Sequence, residues 1–284
     1  MSNMTAYEPY RSATLSEWSA AFRELYGRKD CGRSNLVELW AMAVEDATTV
    51  GEGIREGNYE KIFDALAKTV CWTLSATDCF RERGLFDGLK VHDFRYRISS
   101  IEEMLWYKYP GICSSCCEAQ CLCLVRDSKH PDRDALLSKA RLNELRPFTH
   151  EDWIVMFDRI YRRPHAQRTL AEIGFHFLEE CGEVLRVLRY LSDPSMDSLL
   201  VQRLTVNLAE EIADVVSWAY SIILKIRSLP AIPLKFMESG VHFESQKLTL
   251  SSVLWGIYGT PEGIRCPICH ENPCSDGCNV LGAA

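Results

Sequence analysis

No stretch of the 284-residue chain stays apolar for the roughly 20 residues that a bilayer-spanning helix requires. The first ten residues, MSNMTAYEPY, carry neither the basic start nor the apolar run of a secretion signal. Long basic runs are missing too. The net charge is -7, so composition gives no footing for a polyanion such as nucleic acid. Strict alternation of apolar and polar residues is scarce, which argues against a sheet-based fold. These absences lead to the expectation of a cytoplasmic, helical protein that neither enters a membrane nor binds nucleic acid. With 47% hydrophobic residues, the chain can fill one large core or two modest ones.

Cysteine, by contrast, is plentiful, and eight of the 13 fall in two compact groups. The first, CSSCCEAQCLC, holds Cys113, Cys116, Cys121 and Cys123; the second, CPICHENPCSDGC, holds Cys266, Cys269, Cys274 and Cys278. Each opens with CxxC and reaches a second cysteine pair after four further residues. In a reducing compartment this spacing points to metal rather than disulfides. Four thiolates close a tetrahedral Zn²⁺ site and leave no open position, so we expect two structural zinc ions. His270 or Cys117 are alternative ligands, and an iron–sulfur cluster is an alternative filling. Neither segment is long enough to build its own core, so bound metal would staple it to the rest of the fold. The remaining Cys31, Cys71, Cys79, Cys117 and Cys181 read as small buried residues or spectators.

Apolar residues recur at helical spacing through Leu36–Val50, Ile62–Cys79, Leu170–Leu191 and Leu200–Ile226. Asp193-Pro194 is expected to cap the last of these, with the proline in its first turn. Arg126 to Pro147 reads as a surface connection containing a short helix. The two halves resemble each other. FRELYGR at Phe22 matches FDRIYRR at Phe157, Glu45-Asp46 matches Glu179-Glu180, Trp72 matches Trp218, and Leu105-Trp106 and Leu254-Trp255 each precede a cysteine group. Four matches in one order indicate a duplicated unit of helices followed by a knuckle. This divides the chain into residues 1–125, a connection at 126–149, and residues 150–284.

The second unit carries the chemistry. HFLEECGEVL places Glu179, Glu180 and Glu183 within one helical turn, and NLAEEIADVV does the same for Glu210, Glu211 and Asp214. Facing carboxylates repel unless something positive lies between them. Hard divalent cations prefer oxygen ligands, and Mg²⁺ keeps open positions for phosphate. Glu180, Glu183, Glu211 and Asp214 are the expected ligands, with Glu179 left as a ligand for a second ion or as a general base. In the first unit Glu183 is replaced by Thr49, Glu211 by Ala65 and Asp214 by Lys68, which predicts one competent site rather than two.

The pattern EExxE at Glu179–Glu183 and ExxD at Glu211–Asp214, with 27 residues between, resembles the MazG-like all-alpha nucleoside triphosphate pyrophosphohydrolases. The likeness covers about Leu170 to Ile226 and leaves both cysteine groups unexplained. It implies an all-α bundle that binds Mg²⁺, or Mn²⁺, and cleaves a (deoxy)nucleoside triphosphate into monophosphate and pyrophosphate. Family members commonly pair identical subunits, so the tandem copy implies an intrachain pseudo-dimer, with homodimerisation left open. Lys68, Arg186, Arg189 and Lys225 are candidates for phosphate oxygens, Asn207 shares the face of Glu211, and Trp218 can wall the base or sit in the core. A catalytically silent zinc-bound scaffold for protein or nucleic acid is the alternative of a different class. Diiron bundles are disfavoured because their Glu-x-x-His pairs are missing.

Overall fold

A computed structural model describes residues 13–31, 35–87, 90–91, 96–125, 146–230, 233–235, 242–260, 262–275 and 278. Of the expected connecting segment at 126–149, residues 126–145 lie outside these residues. Among the described residues there are eight helices and only three two-stranded antiparallel hairpins, so the protein is mostly helical. No described helix is long and apolar enough to cross a membrane.

The helices are α1 (Leu15–Cys31), α2 (Leu36–Glu56), α3 (Tyr59–Glu82), α4 (Ile101–Lys108), α5 (His150–Gln167), α6 (Leu170–Leu191), α7 (Ser198–Arg227) and α8 (Leu250–Tyr258). Their ends follow local chemistry. Asn35 and Asn58 accept from backbone N–H groups at the starts of α2 and α3. Between them, Gly57 (φ 66°) takes the left-handed turn that closes α2 onto α3. Thr169 and Glu172 form a capping box at the start of α6. The start of α7 departs from expectation: its cap is Asp197, whose side chain accepts from the Leu199 and Leu200 amides. Asp193 instead accepts from the amide and hydroxyl of Ser195 within the preceding turn. A carboxylate folded onto its own turn cannot also cap a helix that begins five residues later, at Ser198.

The α2–α3 and α6–α7 hairpins pack together as a four-helix bundle, with α2 on α6 and α3 on α7. At the α2–α6 crossing, Gly174 admits the Ile54 side chain; a Cβ there would lie 2.4 Å from Ile54 Cδ1. The Trp40 indole crosses the same seam to donate to the Cys181 carbonyl at 2.8 Å. One continuous core runs from Ala13 to Cys278. A disulfide joins Cys31 to Cys79 and ties α1 to α3, which corrects the reading of these two cysteines as spectators.

The same contacts are made twice, and each time across the chain's midpoint. Helix α4 packs on α7, whereas α8 packs on α3. The first cysteine loop donates from the Cys121 amide to the Ile160 carbonyl of α5 at 2.7 Å; the second donates from the Cys274 amide to the Leu25 carbonyl of α1 at 2.9 Å. Each half therefore lends its short helix and its knuckle to the other. A boundary drawn at residues 126–149 separates stretches of sequence, but the packed structure is interleaved.

Candidate functional site

Glu180 and Glu183 leave α6 one turn apart, and Glu211 meets them from α7. One carboxylate oxygen from each lies within 4.8 Å of the others. Burial raises Glu180 to about 8, with added repulsion from Asp214 and Glu211, and raises Glu211 to about 7. Such a cluster gains from protons or from a cation, and its all-oxygen donor set suits a hard divalent ion. Of the four expected ligands, Asp214 stands apart. Its Oδ2 lies 2.5 Å from Lys108 Nζ, and its Oδ1 accepts from the Tyr109 hydroxyl. Both partners come from the end of α4, in the other half of the chain. Burial opposes the Lys108 charge, but Asp214, Glu210 and Glu211 outweigh it and raise the ammonium's pKa. Burial and Asp214 push the Tyr109 phenol well up, so it stays a donor.

Glu179 is exposed and pairs with His176 Nδ1 at 3.1 Å, while Arg186 pairs with Glu183 at 3.1 Å. Next to the carboxylates lies a cleft of about 420 Å³. Its lining includes Glu180, Asp214 and Trp218 together with Tyr161, His165 and Arg168. The Trp218 indole donates to Glu180 at 3.2 Å, its ring stacks on His176 with centroids 4.8 Å apart, and the Arg168 guanidinium lies 5.3 Å from its centroid. Trp218 is thus a cleft wall as well as a packing residue. His165 is buried, its pKa is lowered to about 4 by burial and by Arg168, and its Nδ1 has no hydrogen-bond partner among the described residues.

The other expected phosphate ligands are dispersed. Lys225 donates to the His165 carbonyl at 3.0 Å, Arg189 is exposed, and Asn207 is half-buried. Lys68 lies in the first half, paired with Asp64 at 2.7 Å. There the arrangement is matched in part: the Trp72 indole bonds the Asp46 carboxylate as Trp218 bonds Glu180, and burial raises Asp46 to about 7. Sequence reasoning missed Lys108, Tyr109, His165 and Arg168. The only local sign was a lone lysine and tyrosine closing α4, four residues before the first knuckle.

Both cysteine groups converge. In the first, Cys113 Sγ lies 3.6 Å from Cys121 and 3.7 Å from Cys123; in the second, Cys266–Cys278 and Cys269–Cys274 are 3.8 and 3.7 Å apart. Metal–sulfur bonds of about 2.3 Å in a tetrahedron separate sulfurs by about 3.8 Å, so both groups fit such an ion. A hydrogen bond from Cys121 lowers Cys113 to about 5, and the backbone amides of Ser115 and Cys116 add to this. The alternative ligands Cys117 and His270 fall outside both converging sets. They occupy equivalent turns instead, each at φ 58°, donating their amides to Cys113 and Cys266 respectively. Comparison of the chain with family models, curated proteins and solved structures gave no match.

Proposed function

We propose that the protein hydrolyses a (deoxy)nucleoside triphosphate to a monophosphate and pyrophosphate, as a tandem MazG-like bundle whose first copy has lost its site. The observation that carries this reading is the convergence of Glu180, Glu183 and Glu211 beside a cleft walled by a lysine and a tryptophan. The three carboxylates would hold Mg²⁺. When bound, the ion would supply charge neutralisation for the polyphosphate. Lys108, fixed by Asp214, presents a cation to phosphate oxygens, and Tyr109 keeps Asp214 in that orientation. Trp218 offers a face for the base, braced by His176. Water attacks the α-phosphorus, its proton passes to solvent water, and the bond to the bridging oxygen breaks as pyrophosphate leaves; Glu179, exposed and paired with His176, lies outside the cleft lining. Two zinc ions in the knuckles complete the fold, and the duplicated contacts support the view that a dimer has been joined into one chain.

Zinc-loaded protein incubated with a panel of triphosphates tests this, with monophosphate and pyrophosphate quantified separately from diphosphate and phosphate. Mg²⁺-dependent pyrophosphate release that falls at least about 100-fold in Glu183→Gln and Glu211→Gln is expected. Wild-type protein that releases no pyrophosphate from any triphosphate would refute the reading.

A further inference from the structure

The two knuckles are alike in ligands but not in surroundings. Beside the second, Tyr26 of α1 and Tyr258 of α8 are buried near Cys71 and Cys266, and the adjoining helix pair carries Lys68 where a metal site would need an acid. The second knuckle borders a separate cleft of about 760 Å³, lined by Arg265, His270 and Glu271, whereas the first forms part of the carboxylate cleft. Cys113, Ser114, Ser115, Cys121 and Cys123 line it together with Glu180 and Asp214. It also continues the strut that holds Asp214: Lys108 and Tyr109 grip that carboxylate, and Cys113 follows four residues later. The knuckle is also anchored to α5 by the Cys121 amide on the Ile160 carbonyl and by Arg159 Nη2 on the Gly111 carbonyl at 3.1 Å. The cleft it closes also holds the unpartnered, buried His165, a group that marks a place for a ligand.

We propose that the ion of the first knuckle shapes the substrate cleft, so that filling this site controls triphosphate binding, whereas the second ion has no part in that cleft. The proposal rests on the reading of the cleft as a triphosphate site. Without the first ion, the sulfurs that draw residues 113–123 into a compact wall have no common partner. The wall then relaxes away from α5, and the Lys108–Tyr109 grip on Asp214 loosens with it.

The test compares full-length wild-type protein, Cys123→Ser and Cys269→Ser. It measures zinc content, the affinity for a non-hydrolysable triphosphate analogue, and amide hydrogen exchange. Wild-type protein stripped of both ions by chelation provides a version free of substitutions. Each variant should lose one zinc. Loss of the first ion should weaken triphosphate binding by at least about tenfold and speed exchange in residues 108–123, 158–168 and 210–218. Loss of the second should leave the affinity within about threefold and speed exchange near α1 instead. Equal effects of the two variants on affinity, or unchanged exchange in 158–168 and 210–218 after loss of the first ion, would overturn the proposal. If exchange responds selectively but even wild-type protein binds no triphosphate, the cleft-wall role stands and the triphosphate reading falls.

Discussion

Replacing Lys108 by Met should destabilise the protein by about 3 kcal/mol, and replacing Asp214 by Asn in the same molecule should restore most of the loss. The ammonium and carboxylate lie 2.5 Å apart with side chains only 12% and 10% exposed. At an effective dielectric of about 20 their attraction is roughly 7 kcal/mol, set against a desolvation cost of several kcal/mol for each ion. The intact pair therefore contributes little net stability. Removing the lysine discards the attraction and leaves the cost of burying Asp214. A pair broken in this way loses about 3–5 kcal/mol, and the Tyr109 hydroxyl that still donates to Asp214 keeps the loss at the lower end. Methionine preserves the packing of the lysine stem, so the effect isolates the charge. The assay is urea unfolding of the wild type, both single variants and the double variant, without added Mg²⁺. The midpoint should shift at constant slope. A coupling energy of about 1.5 kcal/mol or more is expected. Additive single effects, or a Lys108→Met cost below about 0.5 kcal/mol, would refute the reasoning.

In divalent-free buffer Glu180 and Glu211 hold protons up to about pH 8 and 7 when folded, but only to their ordinary 4.5 when unfolded. The unfolded chain thus binds fewer protons over this window, and stability should fall as pH rises from 5 to 8, by about 1–2 kcal/mol after allowance for solvent screening. Mg²⁺ should flatten that slope and release about one proton per ion at pH 7, read by titration calorimetry in two buffers of different ionisation enthalpy. An absence of buffer dependence would contradict this. Trp218→Phe keeps a ring against His176 but removes the donor to Glu180, so KM should rise about threefold to tenfold with little change in kcat. An unchanged KM would remove Trp218 from the cleft's working parts. The Cys31–Cys79 bridge spans 48 residues, and Cys31→Ser should lower unfolding stability by about 2–4 kcal/mol in chemical denaturation. A shift below about 0.5 kcal/mol would indicate that the reduced chain unfolds from the same restricted ensemble.

The features legible in the sequence are those with a short reach. Apolar residues at three and four spacing made α2, α3, α6 and α7 visible because an isolated helix already fixes which side chains share a face. The same geometry brings Glu180 and Glu183 together, and four-residue loops bring the cysteines of each knuckle together. Repeated motifs also foretold equivalent environments: Phe22 and Phe157 are both buried, and Trp72 and Trp218 both reach a carboxylate. Asp214 shows where spacing misleads. It shares a helical face with Glu211, yet Lys108, 106 residues away, takes its carboxylate. Asp193 was the expected cap, but it accepts hydrogen bonds within its own turn, and Asp197 caps α7 instead.

By itself, then, the chain determined its helices, its internal repeat and its two thiolate sets, because backbone periodicity and loop length act over a few residues. Tertiary structure alone decided that the knuckles change sides, that Lys108 and Tyr109 complete the carboxylate cleft, and that Cys31 meets Cys79. Those pairings depend on which faces are buried together when the whole core closes, and no local spacing carries that information.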